Sequence, residues 1–336
     1  MSIIALEEHY MSPGYLDGPG RGFRENAMRT GGRAAEILEQ LSELGEKRIA
    51  LMDEAGIDLQ VLSLHAPGTE QLQGGEAVSV TREANDFVAD AVRRYPGRFA
   101  ALATLPTGDP HQAAEELEIR VRDQGFKGAV INGNVLGRYI DHEDFRPILE
   151  CAERLQVPIY LHPSHPPKPI VDLYYGGFSP QLTNQLAGPG WGWHIDTAIH
   201  VIRLVMSGAF DRYPRLQIIV GHLGEGLPFM MQRINGVMSP QVTGLKKRAG
   251  DCLRENVHYT FAGFNFVPSF LNLFLEVGAQ RIMFSADYPY GSMARGRAFL
   301  EQLPVSPSDR EAIAHGNAER LLRLQPHVNQ SGTTQT

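Results

Sequence analysis

Residues 3–10 read IIALEEHY, a short apolar run (3–6) followed at once by a carboxylate and an imidazole, Glu7 and His9. The same arrangement, an apolar stretch ending in polar residues, recurs along the chain. Strands are predicted at 3–6, 59–64, 99–105, 128–131, 158–161, 217–220, 257–261 and 281–285. Stretches with helical spacing of apolar residues fall between them, at 34–55, 83–94, 111–123, 145–155, 196–207, 226–235, 268–278 and 295–302. A closing helix is predicted at 307–323, with Ser306 as its N-cap. Strict strand–helix alternation argues for parallel βα units, and eight of them predict a single (β/α)8 barrel domain over residues 1–325. An open doubly wound sheet would need a glycine-rich phosphate turn after an early strand, and no such turn follows any of them.

Composition narrows the functional classes. Of the 336 residues 43% are hydrophobic and 21% charged, enough apolar side chain to fill one large core. Thirty-one basic against 38 acidic residues give a net charge of −7 with no block of like charge, which makes nucleic acid and anionic membranes poor partners. No basic segment followed by a long apolar stretch suggests a signal peptide or membrane span. Cys151 and Cys252 show no metal or redox spacing and read as reduced thiols of a cytoplasmic protein. Residues 326–336 are polar and aperiodic, so a flexible tail is expected there.

Two connections, 10–32 and 163–193, are long and rich in Gly, Pro and aromatic residues. Both follow a strand, which places them on the C-terminal face of a barrel as substrate-covering loops. The histidines and acids fall on that same face. Glu7 and His9 follow the first strand, His162 the fifth, His222 the sixth and Asp287 the eighth. Glu7 and His9, two residues apart on an extended backbone, leave the strand on one side. Imidazoles and carboxylates converging in this way suit a borderline divalent metal ion.

Four segments carry a family resemblance: IALEEHY at 4–10, YLHP at 160–163, GHLGEGLPFMMQRI at 221–234 and FSADYP at 284–289. They resemble the decarboxylase branch of the amidohydrolase superfamily, with the γ-resorcylate and 2,3-dihydroxybenzoate decarboxylases nearest and aminocarboxymuconate semialdehyde decarboxylase further off. GNAERLLRL at 316–324 is similar to the family's closing helix. The resemblance implies Glu7, His9, His162 and Asp287 as metal ligands, and His222 with Glu225 as an acid/base pair. Arg233 falls on a family arginine, an expected substrate contact reached across a subunit boundary in a homo-oligomer, dimer or tetramer. The fourth strand ends in Asn132 rather than a lysine that could be carbamylated, so one ion is expected, zinc first with manganese as the alternative.

The implied activity is metal-dependent, non-oxidative decarboxylation of a hydroxylated aromatic or related unsaturated carboxylic acid, with Asp287 as proton donor. The same residues could serve a hydrolase of ester, lactone, amide or C–C bonds, with His222 as base. A barrel that only binds its ligand is the third reading. Phe23, His65, Asn132, Trp191, Tyr174 and Arg233 are candidate substrate contacts, with Trp193 a further aromatic wall. His194 stands at a loop-to-helix entry, where it could line the pocket, whereas His200 and His258 are expected to be structural. The chain departs from the family at His65, where the decarboxylases carry an uncharged residue. It departs again in the short 132–145 segment and in PSHPPKPIVDLYYGGFSP at 163–180, which leaves the substrate open.

Overall fold

A computed structural model describes residues 1–325. The expected tail at 326–336 lies outside the described residues. Eight parallel strands run β1 Ile4–Tyr10, β2 Leu59–Leu64, β3 Phe99–Ala101, β4 Ala129–Asn132, β5 Ile159–His162, β6 Ile218–Val220, β7 Val257–Thr260 and β8 Ile282–Met283. β1 to β3 form one sheet and β4 to β8 another, each in sequence order. Single parallel bridges from Ala103 to Ala129 and from Leu6 to Ser285 bring β3 beside β4 and β8 beside β1. Neighbours therefore follow one another as in the expected (β/α)8 barrel.

Alternation along the strands sorts their apolar residues into two cores. One parity (Ile4, Leu6, Leu59, Val61, Val130, Tyr160, Ile219 and Met283) fills the barrel interior, plugged from below by Ala318 and Leu322 of the last helix. The other parity, including Ile131, Leu161, Val220 and Tyr259, packs outward against the surrounding helices. Continuing the inward parity upward places His162 after Tyr160, and Ser285 then Asp287 after Met283, at the C-terminal mouth.

The closing helix begins as expected, with the Asp309 amide donating to Ser306 Oγ at 3.1 Å. Three expectations need correction. The helix predicted at 34–55 is two, Gly32–Ser42 and Glu46–Ala55, separated where Leu44 turns into the core and Gly45 takes φ −146°. Both long connections are largely helical: the first holds Pro13–Asp17 and Arg21–Thr30, the second Pro180–Ala187 among shorter turns. Their prolines start helices instead of breaking them, because Pro13 and Pro180 occupy first-turn positions behind the capping hydroxyls of Ser12 and Ser179. No described helix is long and apolar enough to cross a membrane.

Candidate metal centre and active-site cavity

The centre depends on an irregularity in β1. Ile4 and Ala5 pair with Leu59 and Gln60, but Glu8 and His9 pair with Leu62 and Ser63, so β1 carries one extra residue between Ala5 and Glu8. Glu7 takes φ 65° there. With Leu6 facing the interior, an uninterrupted strand would turn Glu7 and His9 outward. The bulge reverses the faces and swings both into the barrel mouth, leaving Glu8 outside. His222, Glu225 and Asp287 also adopt positive φ, at 51°, 56° and 60°. Non-glycine residues in this region cost on the order of 1–3 kcal/mol each and persist where the surroundings over-determine them.

Glu7 is held by neighbours from across the barrel. The Tyr160 hydroxyl donates to its Oε2, and Thr260 Oγ1 donates to the same atom at 3.1 Å. Gly221 makes room for it, since a Cβ at that position would lie 2.6 Å from Glu7 Oε2. Glu7 Oε1 is buried and has no hydrogen-bond partner. It lies 3.4 Å from His162 Nε2, and ligand atoms of Glu7, His9 and His162 all fall within 4.8 Å of one another. His9 Nδ1 lies 3.3 Å from Ser63 Oγ, which leaves Nε2 free to face Asp287 Oδ1 at 3.2 Å.

Sequence reasoning missed Glu8. Its carboxylate accepts from the backbone amides of Ala286, at 2.8 Å, and Tyr288, at 3.3 Å, clamping the chain on both sides of Asp287. The fully buried Arg48 supports this clamp from behind, donating to the His9 carbonyl at 2.7 Å and to Gln60 Oε1 at 2.7 Å.

Burial sets the charge states. It lowers His9 to about 3, with help from Arg48, and holds His162 well below the ordinary imidazole range, so both rings are neutral, the form that ligates a cation. It raises Glu7 to about 8 and Asp287 to about 7, so these carboxylates are destabilised as anions without a compensating charge. Two neutral imidazoles and two carboxylates, one of them with an orphaned buried oxygen, fit one divalent ion.

His222 behaves oppositely. Burial alone would lower it, but the Glu225 and Glu7 carboxylates outweigh that and hold it at about 10. His222 Nδ1 lies 2.7 Å from Glu225 Oε1, and the other Glu225 oxygen takes His194 Nδ1 at 2.5 Å. Trp193 Nε1 donates to His194 Nε2 at 2.9 Å, which leaves the His194 proton on Nδ1, facing Glu225. His194 thus stands behind Glu225, in a chain Trp193–His194–Glu225–His222. Ligand atoms of His194, His222 and Glu225 also lie within 4.8 Å of one another, but both Glu225 oxygens are already taken by the two imidazoles. Asn132 is turned toward Glu70, whose Oε1 accepts from its backbone N–H at 2.8 Å and from its side-chain Nδ2 at 3.5 Å.

Above the centre opens a cavity of about 850 Å³, whose lining includes Phe23, His65, Trp193, His222, Asp287 and Tyr290. Phe23 and His65 therefore stand where expected. Four expected contacts do not line it: Asn132 lies buried beneath, and Trp191, Tyr174 and Arg233 are on the surface, Tyr174 being 66% exposed. Trp193 supplies the aromatic wall assigned to Trp191, because the helix Gly192–Met206 starts between them and turns the two indoles apart. Tyr290, three residues after Asp287, was missed; its hydroxyl lies 2.5 Å from His65 Nε2. Lys168 lines the cavity but its ammonium is paired with Asp172 at 2.8 Å. His200 is structural as expected, accepting from the Ile140 amide at 3.2 Å.

A barrel with this mouth is the architecture of a metal-dependent amidohydrolase. Residues 37–324 match the Amidohydrolase family, and the chain belongs to it. A γ-resorcylate decarboxylase of Polaromonas sp. is 35% identical over 337 residues, spanning 96% of this chain and 98% of that protein. Among solved structures, a dihydroxybenzoic acid decarboxylase from Polaromonas sp., with bound manganese and the inhibitor 2-nitroresorcinol, is 34% identical with a TM-score of 0.85, covering 96% of this chain and 97% of that one. A 5-carboxyvanillate decarboxylase from Novosphingobium aromaticivorans, complexed with manganese and 4-hydroxy-3-methoxy-5-nitrobenzoic acid, is 34% identical with a TM-score of 0.88 and 96% coverage of each chain. The resemblance carried by the four sequence segments holds.

Proposed function

We propose that the protein is a manganese-dependent, non-oxidative decarboxylase of a hydroxylated aromatic carboxylic acid. The observation that carries this reading is the cluster of Glu7, His9, His162 and Asp287 at the floor of an aromatic-walled cavity, with Asp287 still 19% exposed to it. Sequence alone ranked zinc first. Manganese in two relatives of the same fold, together with a donor set of carboxylates and imidazoles without thiolate, supports manganese instead.

Glu7, His9, His162 and Asp287 would hold the ion, which would supply positive charge to a carboxylate substrate. Phe23 and Trp193 offer flat apolar surface to the ring. Asp287, which is partly open to the cavity, can deliver a proton to the ring carbon bearing the carboxylate; the ion would hold it as an anion, so it takes up that proton as substrate enters. The electron pair of the breaking C–C bond returns to the ring as carbon dioxide leaves, so the balance is one proton consumed and one carbon dioxide released. Glu225 fixes His222 as a protonated donor toward the cavity. Hydrolysis would use the same His222–Glu225 pair as a base for water, so the choice of the lyase is supported by the decarboxylases to which the chain is similar.

A panel of ortho-hydroxybenzoates, followed by ultraviolet absorbance and carbon dioxide release beside simple esters, lactones and amides, tests the assignment. We expect turnover of at least one hydroxybenzoate, with solvent deuterium appearing at the vacated carbon. Turnover confined to the esters, lactones or amides would overturn it.

We also infer a homo-oligomer. Phe229 and Leu275 are 79% and 81% exposed on the packed helices Leu227–Val237 and Val267–Val277, and Arg233 is exposed on the first of these. Large apolar side chains so displayed are characteristic of protein contacts, and a partner there would cover Arg233. Sedimentation analysis should give a dimer or tetramer that Phe229→Asp with Leu275→Asp dissociates; a monomeric wild type excludes it. Cys151 and Cys252 are both free, which supports the cytoplasmic setting.

A further inference from the structure

The opposite, N-terminal end of the barrel holds a second concave feature that the decarboxylase chemistry does not use. This groove, of about 600 Å³, is lined by Gln156, Gln217, His258, Arg281, Arg320 and Arg323 among others. His258 lies near the start of β7 and Arg281 immediately before β8, whereas Arg320 and Arg323 belong to the end of the helix that plugs the barrel. Two separate parts of the fold thus converge three guanidinium groups on one opening.

These arginines differ from others in the chain. Arg154, Arg203 and Arg254 each pair with a carboxylate, at 2.8 Å to Glu118, 2.9 Å to Asp141 and 2.7 Å to Glu276. Among the described residues the groove arginines have only neutral hydrogen-bond partners. Arg281 donates to Gln217 Oε1 and to His258 Nε2, both at 3.0 Å. Arg320 donates to the Gln280 carbonyl at 3.1 Å and Asn317 Oδ1 at 2.7 Å, and Arg323 to Gln156 Oε1 at 2.6 Å. No carboxylate lines the groove, and residues 326–336 contain neither Asp nor Glu. In a chain of net charge −7, this is a local reversal of sign.

His258 adds an independent observation. It is only 4% exposed, and its Nδ1 is buried without a partner. A guanidinium can only donate, so His258 Nε2 accepts from Arg281 and the ring proton resides on Nδ1. An unmatched N–H buried beside three guanidinium groups that no carboxylate bonds directly costs free energy that an acceptor carrying negative charge would recover. Guanidinium forks match the oxygen geometry of phosphate.

We propose that this groove binds a phosphate group, as the free anion or as part of a phosphorylated small molecule. The occupant bridges the β7 and β8 ends to the barrel-plugging helix, so its effect is on stability and not on turnover.

The test uses the full-length, manganese-loaded protein at ionic strength held constant with chloride. Inorganic phosphate, pyrophosphate and adenosine monophosphate are titrated separately by calorimetry, with the unfolding temperature followed in parallel. At least one should bind saturably and raise that temperature. Arg281→Gln and Arg323→Gln should each weaken binding about tenfold or more, as expected for loss of a charge-assisted contact, with decarboxylation unchanged. Binding of phosphate itself identifies the free anion as sufficient, and binding of the monophosphate alone identifies a phosphorylated small molecule. Absence of saturable binding by all three, or equal binding by wild type and variants, overturns the proposal. Should Arg281→Gln fail to fold, the exposed Arg323 decides.

Discussion

His162→Ala is expected to yield a folded protein with no stoichiometric metal and no measurable decarboxylation. Its imidazole is 7% exposed, held neutral by burial, and aimed at the orphaned Glu7 oxygen 3.4 Å away. Removing it leaves three of four donors and opens the centre to water from the cavity above. Outer-sphere partners of a metal site typically contribute about 10–100-fold in affinity, and loss of a direct ligand should exceed that. His162 is not among the apolar side chains that fill the barrel interior, so the far-ultraviolet circular dichroism should be unchanged. Elemental analysis after dialysis is the measurement, and one equivalent of manganese retained by the variant would show that His162 is not a ligand.

The parts of this site that were legible from sequence are those fixed by strand order. His162 and Asp287 lie on the inward parity of β5 and β8, and His222 just past β6, so eight apolar runs and the rule that parallel strands share one C-terminal face were enough to gather them. Glu7 and His9 were placed correctly on an incomplete argument. Their two-residue spacing puts them on one side of β1, but which side depends on a bulge whose positive-φ residue is a glutamate, and no glycine announces it. Glu8 was invisible for the same reason, because an acid between Glu7 and His9 at a strand end gives no sign of facing two backbone amides. The pocket walls failed differently. Trp191 and Trp193 are equally aromatic in sequence, and only the start of a helix between them decides which one faces the cavity. Arg233 is outside the cavity of this chain altogether, so its role rests on a partner that sequence periodicity cannot position.

The positive-φ residues link this illegibility to the chemistry. Glu7, His222, Glu225 and Asp287 all sit in left-handed backbone, each in a turn or bulge at the barrel mouth. Regular strands would deliver side chains at two-residue intervals to a ring of fixed radius. The irregular residues depart from that spacing, bringing Glu7 Oε1 within 4.0 Å of His222 Nδ1 although they come from β1 and from beyond β6. The local strain is offset by the clamp of Glu8 on the backbone around Asp287 and by the Tyr160 and Thr260 hydroxyls on Glu7.

His222→Asn should therefore separate chemistry from metal binding. The side chain keeps an amide able to reach Glu225, and none of the four proposed ligands is altered, so one equivalent of metal and the unfolding temperature should be nearly retained. What is lost is the protonated imidazole that Glu225 and Glu7 maintain at about 10. A positioned acid–base group typically contributes about 10²–10⁴-fold, so turnover should fall by at least about 10² with a smaller change in KM. His194→Ala provides the matched comparison, because His194 touches Glu225 from the far side and does not line the cavity. If His222 acts through its charge, His194→Ala should reduce turnover more modestly and shift the alkaline limb of the pH profile upward, because Glu225, relieved of one donor, holds the His222 proton more tightly, whereas His222→Asn removes any part of that limb due to His222. Unchanged turnover in His222→Asn would remove the residue from the mechanism and leave Asp287 as the only proton-handling group at the cavity floor.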